Sequence, residues 1–415
     1  MDTIADLISF VEASPSSYHA AAEVARRLSA AGYIEQREDA LWDASPGGHF
    51  VVRDGAVVAW RVPAGEASGF RIVGAHTDSP GFKLKPRPTT GNAGWQQAGM
   101  EVYGGPLFNS WLDREFGLAG RLVLRDGRVA LVSTPAWLRI PQLAPHLDRS
   151  VNDGLRLDKQ AHLMPVFSVG SPGLELMSLV AKVAGVSVDD IAGHDLYAAV
   201  VERPEVFGPE GEFLASGRLD NLSSVHAGLL AILASPDAST VNVLACFDHE
   251  EVGSGSRSGA AGPLLEQVLL RIAESLGRTG DGYQRLLAAS SCISADAGHA
   301  VHPNYAGLHD PDHRPLLNAG PLLKINANLR YTTDAASSAV WARACQAAGV
   351  AMQYFVSNNA VPCGSTIGPM TAERLGIVTC DVGIPLLSMH STRELAGTKD
   401  PGWFVGALTA YYAGA

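Results

Sequence analysis

The chain has 415 residues, of which 47% are hydrophobic and 18% are charged, and its formal net charge is -11 at pH 7. This length predicts two or three domains with a large core, and the acidic charge argues against nucleic acid as a partner. No uncharged apolar stretch approaches the roughly 18 residues that a membrane span requires.

The amino terminus has neither a basic lead nor a long apolar core for export, and we therefore expect a cytoplasmic protein. The five cysteines are odd in number and show no close pairing. This pattern is typical of reduced thiols in the same compartment.

The first part of the chain combines helix and strand patterns. Apolar periodicity predicts helices from Ile4 to Ala13 and from Ser17 to Ala31, the second closed by Gly32. The pair Asp54-Gly55, followed by a run of Val, Ala and Trp, predicts a hairpin.

The composition changes at about Lys85, where prolines and glycines become frequent. A second Asp-Gly hairpin is expected between Arg121 and Val132, and the pattern of strands and turns extends to about Ala215. Beyond it, helix and strand patterns alternate again. We therefore predict an α/β fold in which residues 1–84 and 216–415 form one discontinuous domain and residues 85–215 form an inserted β-rich domain.

A first candidate site residue follows the strand-like run that begins at Phe70. His76 ends this run at a turn-forming segment, and Asp78 comes two residues later. A metal-binding imidazole usually donates its other ring N–H to an acceptor, and Asp78 is placed to accept it. The alternative is a turn histidine beside an aspartate that caps it.

Two adjacent carboxylates, Glu250 and Glu251, follow the apolar run Val241 to Cys246. Successive side chains of a strand point to opposite sides, so one glutamate could bind a metal while the other transfers protons. Alone, such a pair is more often a solvated strand end.

Three further candidates are Asp220, Asp296 and His390. Asp220 lies just before an apolar helical run, where an N-cap would also explain it. Asp296 and His390 each end a short apolar run, as His76 does. Ligands of open α/β sheets bind at the carboxyl ends of strands, so we expect these side chains to converge.

In chain order, these segments resemble the signature of the aspartyl aminopeptidase family of zinc metallopeptidases. The resembling segments are His76-Thr77-Asp78-Ser79-Pro80-Gly81, Asp220-Asn221, Asp248 to Ser254, Asp296 to Tyr305, and Met389-His390-Ser391 with Glu394. They span most of the chain. The resemblance implies a zinc exopeptidase domain with a mixed sheet and helices on both faces.

The resemblance also implies two zinc ions per subunit, bridged by Asp220. The implied ligands are His76 and Asp296 on one ion and Glu251 and His390 on the other, with Glu250 as general base and Asp78 behind His76. Three carboxylates against two divalent cations leave one positive charge, which a bridging hydroxide can neutralise. Such ions activate water and stabilise a tetrahedral oxyanion, which predicts hydrolysis of a peptide bond. These ligand types suit zinc, manganese or cobalt alike.

Substrate preference depends on one lysine. Alternation predicts that Lys324, Asn326, Asn328 and Arg330 share one face of a strand, which is more often a solvated face. The resemblance matches Lys324 to a residue facing the substrate side chain, where an ammonium would attract Asp or Glu. Acidic and broader specificity both stay open.

Several roles are considered for His146. The resemblance matches His146 to a residue that reaches a neighbouring subunit's active site and helps catalysis or substrate binding. From the residues alone, a plain loop histidine after proline is the first choice, and a third histidine ligand is also allowed. No role is assigned to His299, His302, His309 or His313, which follow Asp296 in a loop rich in Pro and Asp.

The inserted domain of the family covers the active site and builds a tetrahedral dodecamer, which would admit short peptides only. A related zinc amidohydrolase or deacylase could use the same ligands on a different amide. A noncatalytic assembly protein would be expected to lose a ligand or the base, and all six positions are present. A plain binding module would not need paired carboxylates at a metal.

Overall fold

The computed structural model of the protein describes residues 2–415. The α-helices, in chain order, are α1 (Thr3–Ala13), α2 (Ser17–Ala30), α3 (Phe108–Trp111), α4 (Leu176–Ala184), α5 (Leu219–Ala234), α6 (Leu264–Ser275), α7 (Asp281–Ala288), α8 (Ala335–Ala348), α9 (Ile367–Leu375) and α10 (Asp400–Tyr412). Short 3-10 helices span Val188–Asp190, Glu250–Val252 and Pro303–Leu308.

The strands are shorter and more numerous. In chain order they are β1 (Ile34–Glu35), β2 (Gly47–Arg53), β3 (Ala56–Val62), β4 (Phe70–His76), β5 (Gly81–Asn92), β6 (Trp95–Tyr103), β7 (Glu115–Leu124), β8 (Val129–Ser133), β9 (Leu138–Arg139), β10 (Val166–Val169), β11 (Ile191–Val200), β12 (Glu205–Phe207), β13 (Phe213–Ser216), β14 (Val241–Phe247), β15 (Ser291–Ala295), β16 (Gly298–His299), β17 (Leu322–Ile325), β18 (Gln353–Val356), β19 (Val378–Gly383), β20 (Pro385–Leu387) and β21 (Glu394–Gly397).

Contacts divide the described residues into two compact units. The first comprises the residues up to Asp78, Pro204–Met389 and Glu394–Ala415, and the second comprises Ser79–Arg203 and His390–Arg393. The second unit begins and ends earlier than residues 85–215. The reason lies in strand pairing, since β5 starts at Gly81 and pairs with β6, whereas β12 and β13 pair within a sheet of the first unit.

The first unit contains a nine-stranded mixed sheet in the order β1-β2-β3-β14-β4-β15-β19-β17-β18. Its central strands β14, β4, β15 and β19 are parallel neighbours. The strand β3 runs antiparallel to β2 and β14, whereas β17 runs antiparallel to β19 and parallel to β18. The Asp54-Gly55 turn joins β2 and β3 as the predicted antiparallel hairpin.

Helices cover both faces of this sheet because its strand residues alternate between two apolar cores. Val73 and Leu244 belong to one core, together with buried residues of α1, α2, α5 and α10. Ile72 and Val243 belong to the other, together with buried residues of α6 and α7. The expected α/β architecture is confirmed.

Both predicted N-terminal helices begin at side-chain caps. The Asp2 carboxylate accepts the backbone N–H groups of Ile4 and Ala5 at the start of α1, and Ser16 caps α2. Gly32 follows α2 with φ +84°, a conformation that glycine adopts without steric cost.

Two smaller sheets complete the fold. The first unit also contains a five-stranded sheet in the order β12-β13-β21-β20-β16. The second unit is built on a seven-stranded sheet in which β7 and β8 form the second predicted hairpin.

No helix within residues 2–415 is both long and apolar enough to cross a membrane. All five cysteines are free, and Cys363 alone among them is not buried.

Candidate metal centre

Three neighbouring parallel strands of the first unit end at the candidate site. His76 is the last residue of β4 and lies opposite Phe247, the last residue of β14. Glu250 and Glu251 follow β14 in a 3-10 helix, and Asp296 follows β15 on the other side of β4. Because parallel strands end at the same sheet edge, residues distant in sequence meet here.

Asp220 reaches the site from the start of α5. Arg218, not Asp220, occupies the N-cap position, and its side chain makes no capping hydrogen bond. Asp220 lies in the first turn with non-helical dihedral angles and is only 4% exposed.

The His76 ring faces carboxylates on the Nε2 side. Nε2 lies 3.3 Å from Oδ1 of Asp220, 3.6 Å from Oδ1 of Asp296 and 4.0 Å from Oε2 of Glu250. The ring is 1% exposed. Its Nδ1 lies 3.1 Å from the Asp78 carbonyl oxygen and 3.4 Å from Oδ1 of the same residue. A proton on Nδ1 leaves the Nε2 lone pair directed at the carboxylates.

Asp78 has a second role that the sequence did not indicate. Its carboxylate accepts the backbone N–H of Glu250 at 3.0 Å and that of Glu251 at 3.2 Å. One buried side chain therefore fixes the glutamate pair relative to the end of β4.

The concentration of negative charge changes the acidity of two groups. Burial raises the pKa of Glu250 to about 7, His76 opposes the shift, and the charges of Asp296, Asp220 and Asp78 add to it. Burial disfavours the charged form of His76, but hydrogen bonds to Asp220, Asp296 and Asp78 outweigh it and raise its pKa.

The donor set fits divalent cations. One ligand atom each of His76, Asp220 and Asp296 lies within 4.8 Å of the others, and the same holds for His76, Glu250 and Glu251. Imidazole nitrogen with carboxylate oxygen is the combination that zinc, manganese and cobalt accept.

Lys324 lies in the core of the first unit beside this cluster. It is 1% exposed, so the solvated strand face was wrong for this residue. The strand β17 ends at Ile325, and the following residues turn instead of continuing the alternation. The Lys324 ammonium donates to the Ala297 carbonyl oxygen at 2.7 Å, lies 4.0 Å from Asp296 Oδ2, and stands 5.3 Å from the ring centre of Tyr331.

A cavity of about 230 Å³ lies in the same unit. Its wall includes His299, His302, His309, Tyr331, Phe355 and Cys363, and none of the described residues that line it is Asp, Glu, Lys or Arg. Two rings have fixed tautomers, because His302 Nδ1 accepts the Asn304 N–H and His309 Nε2 accepts the His302 N–H. Burial, with the nearby His302 and Arg314, lowers the pKa of His309.

The remaining predicted site residues belong to the second unit. His390 is grouped there by its contacts, and its Nδ1 lies 2.9 Å from the Gly105 carbonyl oxygen. His146 is exposed in the segment 141–165, which has little regular structure. Within residues 2–415, no group of three or more possible metal ligands contains His146.

Two contacts around Asp220 were not expected. Asn221 is fully buried, and its Nδ2 donates to the Ala295 carbonyl oxygen at 2.8 Å, next to Asp296. Glu394 accepts the backbone N–H of Asp220. Both residues occur in the family-like segments, but only the tertiary structure identifies their partners.

Comparison with known proteins agrees with this geometry. The sequence profile described as aminopeptidase I zinc metalloprotease (M18) matches residues 10–412. The probable M18 family aminopeptidase 2 of Streptomyces coelicolor is 51% identical over 416 residues, which cover 98% of this chain and 96% of the relative.

Solved structures give the same result. A chain of the cryo-EM structure of the Ape4 and Nbr1 complex superposes with a TM-score of 0.95 at 34% identity, covering 99% of this chain and 85% of that one. The structure of the S. cerevisiae mApe1 dodecamer gives a TM-score of 0.88 at 29% identity, covering 100% and 97%. The expected resemblance is confirmed, and the chain belongs to the M18 family of aminopeptidase I zinc metalloproteases, enzymes that hydrolyse peptides.

Proposed function

We propose that this enzyme removes the N-terminal residue from short peptides in the cytoplasm by means of water activated between two divalent metal ions, with zinc as the family metal. The proposal depends on one observation: Nε2 of His76 lies within 4.0 Å of three carboxylates while its Nδ1 faces Asp78. An imidazole whose Nδ1 is held by an acceptor while its Nε2 faces carboxylates is arranged as a metal ligand.

The ligands are assigned as in the family. His76 and Asp296 would hold one ion, Glu251 and His390 the other, and Asp220 would bridge them. When bound, two such ions lower the pKa of a shared water and stabilise the tetrahedral oxyanion.

Glu250 is the proposed general base. Its carboxylate accepts the proton of the attacking water and returns it to the leaving amine. The backbone N–H of Glu250 is bound by Asp78, while its side chain remains partly accessible. This accessibility supports the assignment, because a general base must contact the attacking water and the substrate.

Self-association is the second part of the proposal. By analogy with the mApe1 dodecamer, we propose a tetrahedral dodecamer in which the second unit covers active sites and His146 completes the site of a neighbouring subunit. The exposure of His146 supports this role. Light scattering should give about twelve chains per particle, and a monomer with full activity would contradict it.

Side-chain preference has two candidates. Acidic N-terminal residues are proposed because Lys324 is a buried cation within 4.0 Å of Asp296. Broader specificity is favoured by the cavity beside Tyr331, because none of the described residues that line it is Asp, Glu, Lys or Arg. It is also favoured by the hydrogen bond that the Lys324 ammonium donates to the Ala297 carbonyl oxygen.

One experiment tests metal and specificity together. The metal-stripped protein is assayed after zinc, manganese or cobalt is restored, against aminoacyl substrates of Asp, Glu, Leu and Lys and against N-acyl amino acids. Release from the aminoacyl substrates alone, restored by metal, supports the aminopeptidase. Turnover of the N-acyl substrates alone indicates the amidohydrolase or deacylase, and full activity without metal contradicts both.

The lysine is tested by Lys324→Met, with the exposed Lys182→Met as matched control. Acidic specificity predicts that kcat/KM falls at least about 10-fold for Asp and Glu substrates relative to Leu, since each 1.4 kcal/mol of lost attraction is tenfold. Equal losses on all substrates favour broader specificity.

A further inference from the structure

Glu394 is a buried acid that has no assigned part in the reaction. It is the first residue of β21 and is 1% exposed. Its Oε2 accepts the backbone N–H of Asp220 at 3.0 Å, across 174 positions of sequence. The pairing of β21 with β13 sets this contact, because Ser216 lies directly opposite Glu394.

The chain between Ser216 and α5 needs such a partner. Arg218 adopts a left-handed conformation with φ +61°, and Asp220 and Asn221 depart from helical dihedral angles. The first N–H groups of a helix have no partner within the helix and are usually bound by a cap side chain. The N-cap residue here supplies none, and the Glu394 carboxylate from another strand accepts the Asp220 N–H instead.

The contact between Glu394 and Asp220 lies next to the metal centre. The residue after Asp220 is also tied down, since Asn221 donates to the Ala295 carbonyl oxygen at 2.8 Å. With the Asp220 N–H bound by Glu394 and the Asn221 side chain bound by Ala295, Oδ1 of Asp220 lies 3.3 Å from Nε2 of His76. We propose that Glu394 is a positioning residue of the metal centre, which aims the Asp220 carboxylate at the place where it would bridge two ions. This inference rests on the proposed dinuclear function.

Position and charge of Glu394 can be separated experimentally. A carboxylate buried away from water requires compensation, and the positive charge of Arg218 is near enough to interact with it. Glu394→Gln keeps an oxygen at the same reach and removes the charge. Glu394→Asp keeps the charge and withdraws the oxygen from the Asp220 N–H. Glu394→Ala removes both.

The measurement is a titration of the metal-free full-length protein with Co²⁺, followed by calorimetry and by the visible absorption of bound cobalt. Glu394→Ala should weaken cobalt binding about 10- to 100-fold and change the absorption bands, the range found when partners of metal ligands are removed. Glu394→Gln should stay within about threefold of the parent protein. The control is Glu205→Ala, an exposed glutamate on β12 of the same sheet, which should bind as the parent does.

If Glu394→Ala does not fold, the cobalt affinities of Glu394→Asp and Glu394→Gln are compared instead. Positioning predicts weaker cobalt binding for Glu394→Asp than for Glu394→Gln, whereas a role limited to charge balance with Arg218 predicts the opposite order and overturns the proposal. Unchanged affinity and spectra in every variant also overturn it. Binding of one equivalent by the parent protein would refute the dinuclear function, while the order of the variants would still report on Glu394.

Discussion

The carboxylate of Asp78 accepts the backbone N–H of Glu250 at 3.0 Å, and thereby connects the end of β4 to the segment that follows β14. Asp78 also faces Nδ1 of His76. A single buried acid thus contacts both a proposed metal ligand and the proposed general base.

Replacement of Asp78 tests this coupling. Asp78→Asn keeps one acceptor oxygen but turns an N–H₂ group toward a backbone donor. We expect metal affinity or kcat to fall about 10- to 100-fold. Metal titration and steady-state kinetics measure both, with the exposed Asp39→Asn as control. Parent values for both quantities would show that Asp78 is dispensable.

The variant Glu250→Gln tests the role of Glu250 as general base. The amide keeps the size of the side chain but cannot take a proton, so kcat should fall about 10²- to 10⁴-fold. Metal content and particle size should be unchanged, because Glu250 is not a proposed ligand. The control is Glu274→Gln on the exposed side of α6. Full turnover by the Glu250 variant would refute the assignment.

Gly383 offers a steric test of the site. A Cβ at this position of β19 would lie 1.8 Å from the carbonyl oxygen of Asp296. Gly383→Ala should therefore displace Asp296, destabilise the protein by about 1–3 kcal/mol or more, and weaken metal binding. In the control Gly402→Ala, the nearest atom outside its chain neighbourhood is 3.8 Å from the new Cβ. Thermal unfolding and metal titration should distinguish the two, and equal behaviour would contradict the prediction.

An acid-sensitive contact joins α1 to α5. Oδ2 of Asp6 lies 2.7 Å from Nε2 of the buried His226 and 2.8 Å from Arg27. The hydrogen bond to His226 lowers the pKa of Asp6 to about 2, burial opposes the shift, and Arg27 adds to it. A lowered carboxyl pKa stabilises the fold above the unfolded value of 3.8, and this contribution is lost as the pH falls toward 2.

Asp6→Asn should accordingly lower the free energy of unfolding at pH 7 by on the order of 1 kcal/mol, since the pair is partly exposed. The difference from the parent protein should shrink at pH 2.5. Urea unfolding of the metal-free protein at both values measures it. If the difference in unfolding free energy between Asp6→Asn and the parent protein is the same at both pH values, the contacts of the Asp6 carboxylate with His226 and Arg27 are not its source.

Local patterns were sufficient for much of the fold. Apolar periodicity, with Gly32 closing the second helix, predicted α1 and α2, and the Asp54-Gly55 pair predicted the hairpin, because these features depend on neighbours in sequence. The same patterns placed His76 and Asp296 at strand ends, and the parallel arrangement of β4 and β15 brought them together.

Other features depend on packing between distant segments. Alternation put Lys324 on a solvated face, but β17 lies inside the sheet between β19 and β18, and the lysine is buried under Ala297. Asp220 looked like an N-cap because a cap has only a local signature, whereas its contact with Glu394 depends on the pairing of β13 with β21.

By itself, the sequence predicted which residues could bind metal and that His76 and Asp296 lie at strand ends, since ligand type and strand period are local properties. Only the tertiary structure decided which carboxylates surround His76 and which groups hold them there. Those contacts join residues far apart in the chain, and strand order and burial set their distances.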